Sequence, residues 1–300
     1  MAGPSKFGCT IRSQLAEQLA CESSRQVFAY FVTVMQFMKT LASALLLGLA
    51  ACGHSYAPTS SSSPYDNPGI YFSTMGALSL EVAYEPGAEP YTGNGLGTGQ
   101  LWDFAEQNIE ALFAGRSGPV KVTVPKELSQ MTPLATQGKT SWTADDLLSF
   151  GVAHRKSNST AGSGQFYILF LNGYFNDGAP NQNVIGARVT GTSIIALFKP
   201  VVTASAIAES MDVAKYIEQS TLTHEMGHAL GLVNLGIPAT SDHEDHLHPG
   251  HCTNPNCVMY YLNHEGITGL NDLVKRVLLT GNAVIFGNEC LQDTRSFNPS

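Results

Sequence analysis

Basic residues are scarce in this chain, which has 300 residues and carries 16 Lys and Arg against 24 Asp and Glu. So few cations argue against nucleic-acid binding and leave no basic surface for anionic lipid headgroups. Charged residues make up only 13% of the chain, whereas hydrophobic residues make up 43%. That balance is typical of a folded globular protein and not of a disordered one. We expect no nucleic-acid partner, and a monomer.

The amino-terminal region holds the longest apolar run. Residues 38–52 read MKTLASALLLGLAAC, which has the layout of a secretory signal. The LAAC ending resembles the lipobox of bacterial lipoproteins, in which the cysteine is lipidated. We expect 1–37 to be an upstream extension, 38–51 a signal peptide and Cys52 the lipidated amino terminus. Alternatively, residues 27–52 form a single membrane-spanning anchor. Both interpretations predict a domain outside the cytoplasm and tied to a membrane, and the lipoprotein interpretation predicts the bacterial outer membrane or cell surface.

The remainder of the chain divides into a tether and one domain. Ser and Pro are frequent in residues 52–68, which predicts a flexible tether. Residues 69–300 contain no second linker and are predicted to fold as one unit. Strand patterns occupy 70–84, 120–124, 165–171 and 184–199, and helical patterns occupy 101–116, 143–150, 205–233 and 269–279. This order predicts an α+β domain with a mixed, mostly parallel sheet.

Histidines are concentrated in the last third of the chain. Seven of nine lie between His224 and His264, and the first two form the motif HEMGH with His228. Residues four apart share one helix face, so both imidazoles can reach one metal ion. Zn²⁺ is the usual guest of such a pair. Glu225 is then placed to act as general base towards a water molecule.

The residues after the motif carry a family resemblance. Gly231 follows His228 by three positions, where a glycine can end a helix in a left-handed conformation. Through Gly231 the sequence resembles the pattern HExxHxxGxxH of metzincin zinc peptidases. The third-ligand position of that pattern is occupied by Asn234, whose neutral amide is a poor zinc ligand.

A second string of residues supplies another third ligand. Residues 251–259, HCTNPNCVM, resemble the HC-x4-CVM segment of archaemetzincins. The resemblance implies that His251 is the third zinc ligand and that Met259 is the Met-turn residue beneath the metal. Tyr261 has the position of a tyrosine that reaches the metal or the oxyanion in astacin-like and serralysin-like metzincins. It is therefore a candidate hydrogen-bond donor to the tetrahedral intermediate.

An insertion, residues 235–250, separates Gly231 from His251. It leaves His243, His246 and the preceding Asn234 open as alternatives for the third ligand. The run DHEDHLH at 242–248 could hold a second metal ion, but a solvated loop over the cleft is the simpler interpretation.

Three cysteines remain after Cys52, namely Cys252, Cys257 and Cys290. Archaemetzincins complete a four-cysteine zinc site with a later cysteine pair, which this chain lacks. In an exported protein we therefore expect one disulfide, either Cys252–Cys257 or one of these two with Cys290.

These patterns predict a zincin or metzincin-like fold with an active-site helix and a carboxyl-terminal helical subdomain. The predicted function is a membrane-tethered zinc endopeptidase acting on protein or peptide substrates. Two alternatives remain: a non-catalytic surface-binding lipoprotein with a zincin fold, and a zinc amidase acting on a cell-wall link. The presence of Glu225 favours an enzyme.

Overall fold

The computed structural model describes residues 63–95, 99–208, 211–261 and 267–299. The predicted extension 1–37, the signal peptide 38–51 and Cys52 lie outside the described residues. Within the described ranges, no helix is both long and apolar enough to cross a membrane.

A six-stranded sheet forms the centre of the domain. Its strands are β1 (Ala77–Tyr84), β2 (Lys121–Thr123), β3 (Thr132–Pro133), β5 (Ser163–Leu171), β8 (Gly186–Arg188) and β9 (Ile194–Phe198). The order is β2-β1-β5-β9-β8, and β3 also pairs with β1. Every pairing is parallel except that of β8 with β9. The predicted α+β class with a mixed, mostly parallel sheet is confirmed.

Burial explains why the central strands read as continuous apolar runs. Residues 166–171 of β5 and all of β9 are buried, because both faces of the parallel sheet are covered. A separate small sheet holds β4 (Ser141–Trp142), β6 (Tyr174–Asn176) and β7 (Pro180–Asn181).

Seven α-helices occur in the described residues. They are α1 (Pro68–Tyr71), α2 (Asp103–Phe113), α3 (Ala144–His154), α4 (Lys199–Ala208), α5 (Met211–Ala229), α6 (Ile267–Thr280) and α7 (Asn288–Ser296). Two sequence predictions were wrong here. The segment 70–84 is a strand only from Ala77 onward, because Asn67 caps the short helix α1. The helix predicted over 205–233 ends earlier, at Ala229, and helical residues already begin at Lys199.

The first residues described belong to the folded unit. The buried carboxylate of Asp66 accepts hydrogen bonds from Ser193 Oγ at 3.0 Å and Tyr71 Oη at 3.2 Å. The domain therefore starts a few residues before position 69.

Helix α5 is buried along most of its length, including polar residues such as Gln219 and Thr223. It packs against α2, α4, α6 and the strands β8 and β9. Gly186 lies close to it: a Cβ there would sit 3.2 Å from Glu225 Cγ. The edge strand β8 and the helix that carries HEMGH thus meet at Glu225.

Candidate metal centre

Helix α5 presents both motif histidines inside the protein. His224 is 1% exposed and His228 is 9% exposed. Their ring centroids are 4.5 Å apart, as expected for two residues one helical turn apart on one face. The helical placement predicted for the motif is confirmed.

The helix ends where the glycine was predicted to end it. Gly231 has φ +95°, in the left-handed region. Its N–H donates to the His228 carbonyl at 3.1 Å, and its own carbonyl accepts from the Ile237 N–H at 2.8 Å. These bonds turn the chain away from the helix and begin the insertion.

His251, after the insertion, lies next to the two motif histidines. His224, His228 and His251 each place a potential ligand atom within 4.8 Å of the others, and all three are buried. The His251 ring centroid lies 5.3 Å from that of His224 and 4.9 Å from that of His228. A group of residues able to hold a metal ion therefore exists, as the sequence predicted.

Backbone carbonyls fix the orientation of two of these rings. His224 Nδ1 lies 2.7 Å from the Val258 carbonyl oxygen, and His251 Nδ1 lies 3.1 Å from the His248 carbonyl oxygen. A carbonyl can only accept a hydrogen bond, so each Nδ1 carries the hydrogen, and in the neutral imidazole Nε2 then has the lone pair. A neutral imidazole held in this way is the form that binds a metal.

Met259 lies directly beneath the motif helix. A Cβ built on Gly227, between the two motif histidines, would come within 2.5 Å of Met259 Sδ. Met259 itself is fully buried. Met259 therefore packs against the helix segment that carries His224 and His228.

Glu225 is 2% exposed and lies beside the edge strand. Burial lowers the pKa of Arg188 on β8, and the negative charge of Glu225 acts in the opposite direction. The guanidinium and the carboxylate therefore attract each other across the β8–α5 contact. Sequence reasoning missed Arg188, because nothing in the strand pattern indicates which helix residue it faces.

Tyr261 stacks face to face on His248, with ring centroids 3.7 Å apart and 4° between the planes. His248 also provides the carbonyl that orients His251. The tyrosine is thus two contacts away from the third histidine of the group.

The other proposed third ligands lie elsewhere. Asn234 donates to Glu244 Oε2 at 2.5 Å and accepts from the Ala239 N–H at 2.8 Å, so it holds the insertion together. His246 is largely exposed, with Nε2 3.5 Å from Asp242 Oδ1.

His243 belongs to a second buried group, with Cys252 and Cys290. Its Nε2 lies 2.7 Å from the Asp293 carboxylate. The interpretation of the insertion as a merely solvated loop is therefore wrong at His243, because that ring packs inside the domain. Sequence reasoning also missed Asp293, since helix α7 was not predicted.

The disulfide expected among Cys252, Cys257 and Cys290 is not formed. The Cys257 and Cys290 sulfurs are 3.6 Å apart, well beyond the roughly 2.05 Å of a disulfide bond.

Comparison of the chain with protein-family models, with curated proteins and with solved structures finds no match. The metzincin resemblance therefore depends on residues 224–261 alone. The three-histidine group is a candidate metal centre on its own geometry.

Proposed function

We propose that this protein is a zinc-dependent endopeptidase. The observation that carries the proposal is the convergence of His224, His228 and His251, with Glu225 buried on the same helix between the first two. Three imidazoles from a helix and a following loop form the donor set typical of a catalytic zinc site, in which a further position stays open.

The residues fit zinc by their chemistry. Two of the three rings are held as neutral tautomers by carbonyl oxygens, and all three are buried. A zinc ion bound there would supply Lewis acidity and lower the pKa of a water molecule.

Glu225 is the general base and acid of the proposed reaction. Its carboxylate takes the proton from the attacking water and passes it to the leaving amine. The positive charge of Arg188 attracts the ionised carboxylate that this role requires. Met259 packs against Gly227, between the two motif histidines. Tyr261 is the proposed hydrogen-bond donor to the tetrahedral intermediate.

Strand β8 is the proposed binding edge for the substrate. It ends the sheet order, so its outer backbone groups have no neighbouring strand in the described sheet. An extended peptide can pair with such an edge. Gly186 brings this edge close to Glu225, so a bound peptide would pass the candidate centre.

The proposed location is the outer face of a bacterial membrane, with a lipid on Cys52. Intact-mass measurement of the mature protein tests this directly. A chain starting at a diacylated Cys52 supports it, whereas a mature chain that retains residues 27–52 indicates the spanning anchor instead.

The function is tested with Glu225→Gln, which keeps the size of the side chain but removes the base. Zinc content should stay unchanged, while casein hydrolysis should fall by about 10²–10⁴-fold. Glu110→Gln on the exposed side of α2 is the matched control and should keep full activity. Full activity in Glu225→Gln would refute the proposal.

Parallel incubation with peptidoglycan separates the alternatives. Release of cell-wall fragments without casein cleavage would identify an amidase. Binding without cleavage of either substrate by the zinc-loaded wild type would identify a non-catalytic surface protein.

A further inference from the structure

A second cluster of metal-ligating side chains lies outside the candidate centre. His243 comes from the insertion, Cys252 and Cys257 come from the loop before Met259, and Cys290 comes from helix α7. His243 is 3% exposed and the three cysteines are fully buried. Three separate segments therefore direct their ligand-type side chains into one closed interior region.

Two spacings within the cluster match those around a single tetrahedral metal ion. Two thiolates at about 2.3 Å from one zinc lie about 3.8 Å apart, and a thiolate and an imidazole nitrogen lie about 3.6 Å apart. Cys257 Sγ and Cys290 Sγ are separated by 3.6 Å, and His243 Nδ1 and Cys252 Sγ by 3.3 Å. The ligand atoms of His243, Cys252 and Cys290 all lie within 4.8 Å of one another.

The hydrogen bonds around His243 resemble those that surround the ligands of a metal ion. Nε2 of His243 lies 2.7 Å from Asp293 Oδ2, and Nδ1 lies 3.3 Å from Cys252 Sγ. The other Asp293 oxygen accepts from the N–H and hydroxyl of Thr240, at 2.7 and 2.8 Å. A carboxylate behind a histidine, itself held in place, is a frequent outer shell of zinc sites.

Backbone N–H groups also point at the sulfurs. The N–H of Gly287 donates to Cys257 Sγ at 3.0 Å, and the N–H of Asn254 donates to Cys252 Sγ at 3.4 Å. Such bonds stabilise the negative charge that thiolate ligands carry.

We propose that His243, Cys252, Cys257 and Cys290 form a structural Cys3His zinc site, separate from the three-histidine centre. A disulfide would use only two of these four side chains. A Cys3His set uses all four side chains, and its closed, fully coordinated form suits a structural ion.

The position of the site gives it a role. Cys252 directly follows His251, and its N–H donates to the Met259 carbonyl at 2.8 Å. A metal bond at Cys252 would therefore fix the backbone that carries the third histidine. The same ion would join the insertion and helix α7 to that loop.

Metal analysis of the full-length chain tests the site without reference to catalysis. Wild type should hold about two zinc ions per chain, and the double variant His224→Ala/His228→Ala about one. Cobalt substitution identifies which site remains: thiolate-to-cobalt charge-transfer absorption should persist in the double variant and be lost in Cys290→Ser. Because wild type and the double variant already decide the question, a Cys290→Ser protein that fails to fold does not affect the result.

A milder variant tests the histidine side of the site. Asp293→Asn should lower the affinity of the thiolate-bound ion by about 10–100-fold in chelator competition, and the exposed Asp242→Asn should not. The proposal is overturned if the wild type shows no thiolate-to-cobalt absorption. It is equally overturned if two of the three cysteines form a disulfide in the protein as isolated, before any metal is removed. Either result would leave the three-histidine proposal intact.

Discussion

His224 donates its Nδ1 hydrogen to the carbonyl oxygen of Val258, over 2.7 Å. Val258 immediately precedes Met259, so this bond connects the motif helix to the loop beneath it. It also leaves Nε2 of His224 with the lone pair that a metal requires. The same short contact therefore places the hydrogen of His224 on Nδ1 and holds the loop that carries Met259 against the motif helix.

The identity of the third ligand can be tested by comparing two positions. His251→Ala should remove the ion of the three-histidine centre, because His251 is the third member of that group. Asn234→Gly should keep it. Asn234 has φ +62°, which glycine adopts without strain, and its side chain bonds Glu244 and the Ala239 N–H of the insertion. Metal content of the two variants, measured after removal of loose metal, checks this. Retention of the ion by His251→Ala would contradict the assignment.

The packing of Gly227 on Met259 predicts a sensitive position. Alanine is favoured over glycine by about 1 kcal/mol inside a helix, so Gly227→Ala should stabilise helix α5 on propensity alone. We expect the opposite, because the new Cβ would lie 2.5 Å from Met259 Sδ and 3.1 Å from Phe286 Cε1. The thermal midpoint and the zinc affinity should both fall. Gly118→Ala, where no atom lies within 4 Å of the new Cβ, is the control and should change neither.

A buried ion pair joins helix α4 to the same helix six residues before the motif. Lys199 Nζ lies 2.5 Å from Glu218 Oε2, with both side chains buried. Glu218→Gln leaves the lysine charge without its partner, so we expect a loss of about 3–5 kcal/mol in the free energy of unfolding. The exposed pair Lys215–Asp212 on the same helix is the comparison: Asp212→Asn should cost less than about 1 kcal/mol. Equal effects in denaturant titrations would refute this interpretation.

Glu218 also predicts a pH dependence of stability. Burial raises its pKa from 4.5 to about 7, against the opposing effects of Lys199 and the Tyr91 N–H. The folded state then binds this proton more tightly than the unfolded state. The contribution of Glu218 to the free energy of unfolding must therefore fall as the pH rises from about 4.5 to about 7. The difference between wild type and Glu218→Gln, measured across this range, should show that slope. A flat difference would mean that the carboxyl titrates at the same pH in both states.

Local patterns were sufficient wherever short-range chemistry determines structure. The spacing of His224 and His228 predicted one helix face, and Gly231 predicted the helix end, because both follow from backbone geometry over a few residues. The apolar run at 165–171 predicted a buried strand for the same kind of reason. Helix α7 was missed because its apolar residues are few.

What the sequence by itself determined is the chemistry of the motif: two histidines and a glutamate on one helical face, ended by a left-handed glycine. Only the tertiary structure decided which distant residues join them. It brought His251 to the motif histidines, separated Asn234 and His246 from them, and placed His243 with Cys252 and Cys290. The physical reason is that the path of the insertion depends on long-range contacts, such as Asn234 with Glu244 and Thr240 with Asp293. No spacing along the chain specifies these contacts.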